Sequence, residues 1–323
     1  MRSVILFGAA ALTAFVAALP ADAGFFGSAY LRVYDARVEV LDGAVWRKAV
    51  AGPAGGGVAN VDVILRSTSS DAFASVFLDG ATDQNFSMGA DAMRAFVGSG
   101  VLPGDNVGFP APVGSTPLGT PIPGVSPYAY ADTASRVPAG QLVNFLAPPP
   151  PPGGTIVSTP DSDVEVIVSS LLDEVGQVSE ADSSVGTISS LQFETAAGGA
   201  FRLVFNYDVD LQMSLSASPG VGTGFVSATF ETTGTSPRNS ISDNQTFDLN
   251  FGGAPFNVTG GSFTSEVLNV DQNGLGSFTL ARSVSLSMAA VPEPSSFAIF
   301  GFFAAAAMLV RFRYRQRRIS LGA

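Results

Sequence analysis

Two carboxylates, Asp208 and Asp210, stand two residues apart in the stretch FRLVFNYDVDLQMSLS that begins at Phe201. On a β-strand, side chains two apart share a face. Glycoside hydrolysis needs such a pair, with carboxyl groups roughly 5–10 Å apart acting as acid and as base or nucleophile. Carboxylates carry weight here because the alternatives are missing. The chain has no histidine and no cysteine. That excludes Ser-His-Asp and Cys-His relays, ordinary zinc sites, disulfides and thiolate nucleophiles. Only carboxylates, Tyr, Arg and the single lysine, Lys48, remain for acid–base work. The competing reading is a charged, solvated strand face, and no aromatic cluster in the sequence marks a sugar cleft beside Asp208.

Two other clusters offer oxygen atoms. Asp161, Asp163 and Glu165 in DSDVE provide alternating carboxylates that suit Ca²⁺, without the glycine and distal glutamate of an EF-hand loop. Asp271 and Asn273 in DQNG form a thinner candidate, since Asp and Asn are also ordinary turn residues. No cofactor is expected, and these acids are weak candidates for metal. Trp46, the lone tryptophan, lies beside Arg47 and Lys48 and reads as a core or loop anchor more than as a sugar platform. The glycine run Ala51–Gly57 has no lysine and reads as a flexible turn, not a phosphate loop.

The elements that would position these groups are strands. Phe201, Leu203, Phe205, Tyr207, Val209, Leu211, Met213 and Leu215 occupy alternate positions, which predicts a long strand with one buried face. Phe278, Leu280, Val284, Leu286 and Met288 alternate similarly, with Arg282 as the exception. Further strands are predicted at Tyr30–Val40, Val61–Arg66, Val164–Ser169, Thr187–Phe193, Phe225–Glu231, Thr246–Phe251 and Ser262–Val270. Asn273-Gly274 predicts a type I′ hairpin turn. One helix is predicted near Ser87–Val97, where Met88, Ala92, Ala95 and Phe96 share a side. Many short strands and almost no helix indicate an all-β protein, an antiparallel, jelly-roll-like β-sandwich.

Composition divides the chain. Residues 101–160 hold 14 of the 21 prolines, with five in a row from Pro148 to Pro152. This Pro/Gly-rich segment is either a linker between two β domains or a long loop within one, and the linker-like insertion is favoured. It separates a β-rich segment, 24–100, from an acidic β-sandwich segment, 161–290. Between Gly24 and Ala290 there are 25 acidic and 10 basic residues. A body so acidic repels nucleic acid, which requires clustered Lys and Arg.

The two ends are addresses. Residues 1–23 read as a secretory signal peptide: Arg2, an apolar run from Val4 to Leu19, then Pro20 and the small residues Ala21 and Ala23 flanking a cleavage point. Near the other end, Phe297–Val310 is a 14-residue apolar run. At ~1.5 Å per residue it is short of a ~30 Å hydrocarbon core. Extending it to Ser295–Phe312, with Arg311 and Arg313 snorkelling, gives a marginal transmembrane helix. Arg311, Arg313, Arg315, Arg317 and Arg318 belong in the cytoplasm by the positive-inside rule, leaving the body outside.

Val291-Pro292-Glu293-Pro294, then a short apolar span, then an arginine cluster, resembles the PEP-CTERM sorting signal over residues 291–318. The resemblance implies processing by exosortase, a membrane-embedded cysteine peptidase of Gram-negative bacteria that make exopolysaccharide. The residues ISLGA after the arginines depart mildly from the pattern. The expectation is an exported, non-enzymatic surface or matrix protein, transiently anchored in the membrane and associated with exopolysaccharide or biofilm. The alternative is a secreted carbohydrate-binding or carbohydrate-active protein using its carboxylates.

Overall fold

The computed structural model describes residues 24–49, 63–88, 93–99, 125–135, 164–172, 179–215 and 221–291. Fourteen strands form two antiparallel sheets, and there is no helix among the described residues. The first sheet contains β1 (Phe25–Asp42), β2 (Val45–Lys48), β5 (Arg94–Gly98), β6 (Tyr128–Ser135), β7 (Val164–Leu172), β9 (Gly199–Leu215), β12 (Phe256–Thr264) and β13 (Leu268–Val270). Its order is β12-β9-β1-β7-β6-β5, with β13 also on β9 and β2 also on β1. The second sheet contains β3 (Val63–Leu78), β4 (Ala81–Met88), β8 (Ser179–Thr195), β10 (Val221–Thr235), β11 (Ser240–Asn250) and β14 (Gly274–Val291). Its order is β11-β10-β14-β8-β3-β4.

The alternation in the sequence sets what each sheet turns inward. Phe201, Leu203, Phe205, Val209 and Leu211 from β9 meet Phe193, Val226, Phe230, Phe278 and Leu280 from the facing sheet in one core. Phenylalanine rings lock the layers together. Phe205 and Phe230 are 5.0 Å apart edge to face, and Phe193 and Phe201 are 4.9 Å apart. Each fully buried Phe contributes about 1.5–3 kcal/mol of transfer free energy, and such ring pairs add to it.

Three expectations change. Segment 101–160 does not separate two sheets. β1 lies between β9 and β7, and β3 pairs with β8, so 24–100 and 161–290 share both layers. The insertion itself supplies β6, paired on both sides. The helix near Ser87–Val97 is not formed in the described part. Ser87 and Met88 end β4, and Arg94–Gly98 is a strand opposite Tyr128–Asp132. Ala92 lies outside the described residues.

Asn273-Gly274 is not a hairpin turn. Gly274 N–H donates to the Asp271 carbonyl at 2.9 Å, but only Asn273 has positive φ, 53°. The turn carries the chain from β13 in one sheet to β14 in the other. The type I′ geometry occurs instead at Asp79-Gly80, with φ 46° and 89°, where Leu78 and Ala81 close the β3–β4 hairpin. Two successive positive φ values are cheap only for such a pair.

Candidate functional site

Those of the sequence-predicted acids that the structure describes are held in structural contacts. Asp208 and Asp210 do share a face of β9, but it is buried, not solvated. β9 lies inside its sheet between β1 and β12, which removes both of its edges from solvent. Asp208 Oδ1 accepts the Gly260 N–H at 2.7 Å, where β12 bulges. Its other oxygen is 3.7 Å from Arg32. Glu165 stands on the far side of the same arginine, also at 3.7 Å, and is nearly fully buried. Register explains the triplet, because Arg32 is paired in the ladder with Glu165 on β7 and Asp208 on β9. Glu165 is therefore not an open oxygen ligand, and Asp161 and Asp163 lie outside the described residues.

Asp210 accepts from Gln212 Nε2 at 3.1 Å, and burial raises its carboxyl above the usual range against the help of Gln212 and Asn257. A raised folded-state value means that the charged form opposes folding. This penalty is absent in acid and appears as pH rises through the folded pKa. Asp210→Asn is therefore expected to raise the melting temperature by a few degrees at pH 7. The gain should vanish below the ordinary carboxylate range in a melting series from pH 3 to 8.

Sequence reasoning missed a second buried group. Arg94 donates to Asp132 Oδ2 at 2.9 Å, and the Tyr130 hydroxyl donates to the same oxygen. Burial first, then Asp132, pushes the Tyr130 phenol upward. Burial raises Asp132 too, opposed by Tyr130 and Arg94. The signal is period two in YAYAD, which puts Tyr128, Tyr130 and Asp132 on one face, but it lies inside the proline-dense insertion. Tyr30, Val125, Tyr128, Tyr130 and Ile167 pack there as a small second core.

Trp46 is half-buried with the Arg202 guanidinium 4.2 Å over its ring, and Arg202 also holds Glu39 at 2.7 Å. It is an anchor of the β1–β2 hairpin. Arg238 is 2.6 Å from Asp271, so this turn acid also has a cation. Val291 ends β14, paired with Val221. Pro292, Glu293, Pro294, the segment 295–312 predicted as a helix, the arginines from Arg311 to Arg318, and Ala21 and Ala23 lie outside the described residues.

An open site lies elsewhere, on the outer face of the second sheet. Phe77, Asp182, Ser287 and Phe225 form one row across β3, β8, β14 and β10. Ser75, Ser184 and Ser285 form the next row. Together they line a hollow of about 210 Å³. Phe225 is 40% exposed, one of several large apolar side chains turned outward among the described residues. The alternation that buries Val76, Ala181, Leu286 and Val226 turns these residues outward.

No protein-family model, no curated protein and no solved structure matches the chain.

Proposed function

We propose that the chain is an exported, non-enzymatic cell-surface or extracellular-matrix protein. In this reading the signal peptide ends at Ala23, and the jelly-roll-like body is held briefly by helix 295–312. An exosortase then processes it at Val291-Pro292-Glu293-Pro294, and it joins an exopolysaccharide layer. The observation that carries the reading is the order of parts at the C-terminal end: Pro-Glu-Pro, apolar span, arginine cluster. Two features of the body support this reading. The Asp208–Asp210 pair is engaged by Gly260, Arg32 and Gln212, away from the open hollow. The last strand among the described residues, β14, ends at Val291, where the motif begins. The alternative, a carbohydrate-binding body, is favoured over a carbohydrate-active one by the same engagement of its paired acids.

Glu293 is the single charge between the two prolines and the natural handle for recognition. Glu293→Ala is expected to leave export intact and to accumulate protein in the membrane fraction with its tail attached. Fractionation followed by mass spectrometry of the C-terminal peptide reads the outcome. Release of the variant at the wild-type level, cut at the same place, would remove Glu293 from recognition.

A further inference from the structure

We infer that the hollow on the outer face of the six-stranded sheet is a binding site for a neutral polysaccharide chain. The inference deepens the matrix reading and rests on it for the setting in which such a polymer is met. The floor consists of Asp182, Ser184, Ser285 and Ser287, and the walls are Phe77 and Phe225. The walls stand on the outer two of four neighbouring strands, three inter-strand steps or roughly 14 Å apart. That length accommodates a few sugar rings lying across the strands.

Three features select the ligand. First, the floor hydroxyls and the Asp182 carboxylate make no hydrogen bond or ion pair with another protein group among the described residues, although hydroxyls elsewhere on this face do. Ser190 bonds Thr279 at 3.0 Å, and Thr229 bonds Thr246 at 3.1 Å. A serine hydroxyl both donates and accepts, and a carboxylate accepts, which matches the hydroxyls of a sugar. Second, no cation is among the residues lining the hollow, and Asp182 is exposed within it. Uronates, sulfated glycans and phosphates would meet a like charge with nothing to pair them. Third, the two phenylalanines supply apolar walls for the C–H faces of sugar rings, which is how a small number of polar groups and an apolar lining give a ligand orientation. A peptide is disfavoured because strand addition requires a free edge. β8 and β14 are both interior, paired on each side over the floor.

Affinity electrophoresis of the full-length chain in mild detergent tests this directly. The gels would contain dextran, hydroxyethyl cellulose, polygalacturonate or chitosan. Retardation by a neutral polymer is expected, weakened ~10-fold or more by Phe225→Ala, since truncating an aromatic anchor of a binding site commonly weakens binding by that order. Ser285→Leu, which fills the floor, should act likewise. Thr246→Ala, on the same face but outside the hollow, should bind as wild type. Melting curves of each variant establish folding; if Phe225→Ala does not fold, Ser285→Leu decides. No retardation by either neutral polymer overturns the ligand class, as does retardation only by the anionic or cationic polymer. Neutral binding that survives both hollow variants overturns the site. None of these outcomes bears on export or on tail processing, which are read from cell fractions.

Discussion

Val209→Asp is expected to abolish the cooperative melting transition of the body. Val209 is 1% exposed in β9 and is paired with Leu31 on β1 and Val258 on β12. Its side chain belongs to the shared core, among the phenylalanines that join the sheets. A carboxylate placed there sits among apolar core side chains, and an uncompensated buried charge costs several kcal/mol. Domains are stable by only about 5–15 kcal/mol, so this single cost removes most or all of the margin. Circular dichroism melts of the purified chain read the result. An unchanged melting temperature would mean that β9 presents its other face to the core.

The same core already contains one charge, and removing it is expected to stabilise the protein. Arg282 on β14 is 1% exposed, and it lies on the apolar side of the strand pattern. Its Nη1 donates to Thr187 Oγ1 at 3.2 Å and to Ser189 Oγ at 3.1 Å. Nε and Nη2 have no partner among the described residues, and no carboxylate there pairs with the guanidinium. Burial pulls its pKa down to about 9, so it is still charged at neutral pH. Replacing buried ionic groups by apolar residues of similar volume commonly gains about 1–4 kcal/mol, and here no charged partner is left stranded. Arg282→Met should therefore raise the melting temperature at pH 7 by several degrees. The folded-state value lies below the unfolded one, so the penalty is full below it and fades as pH rises through about 9. The advantage of the variant should shrink in that direction. A large loss of stability would show instead that Nε and Nη2 grip an internal water or anion.

The contrast between these two positions shows what is legible in the sequence. Val209 and Arg282 occupy corresponding places in two alternating patterns, and the patterns alone assign both to a buried face. Arg282 breaks its pattern by residue type yet keeps its place, because the sheet register fixes its direction. The polar face of β9 escapes sequence reasoning for a different reason. Whether Asp208 is solvated depends on which strands flank β9, and β1 and β12 come from sequence positions outside it. The Ser87–Val97 helix fails in the same way. Met88, Ala95 and Phe96 fit a helical side locally, but β3 and β6 offer ladder partners. β6 is hard to see because proline density on either side masks a short alternating run. The hollow is hidden most completely, since its floor and walls come from four strands joined only by register.

In the proposed function the chain leaves the cell and loses its tail on the way. Its most direct test is the intact mass of the protein recovered outside cells of an exosortase-bearing host, with mapping of both terminal peptides. The expected product begins at Gly24 and lacks Phe297–Arg318, and in a host without the peptidase the protein stays in the membrane fraction at full tail length. Extracellular protein still carrying Phe297–Arg318 would contradict processing.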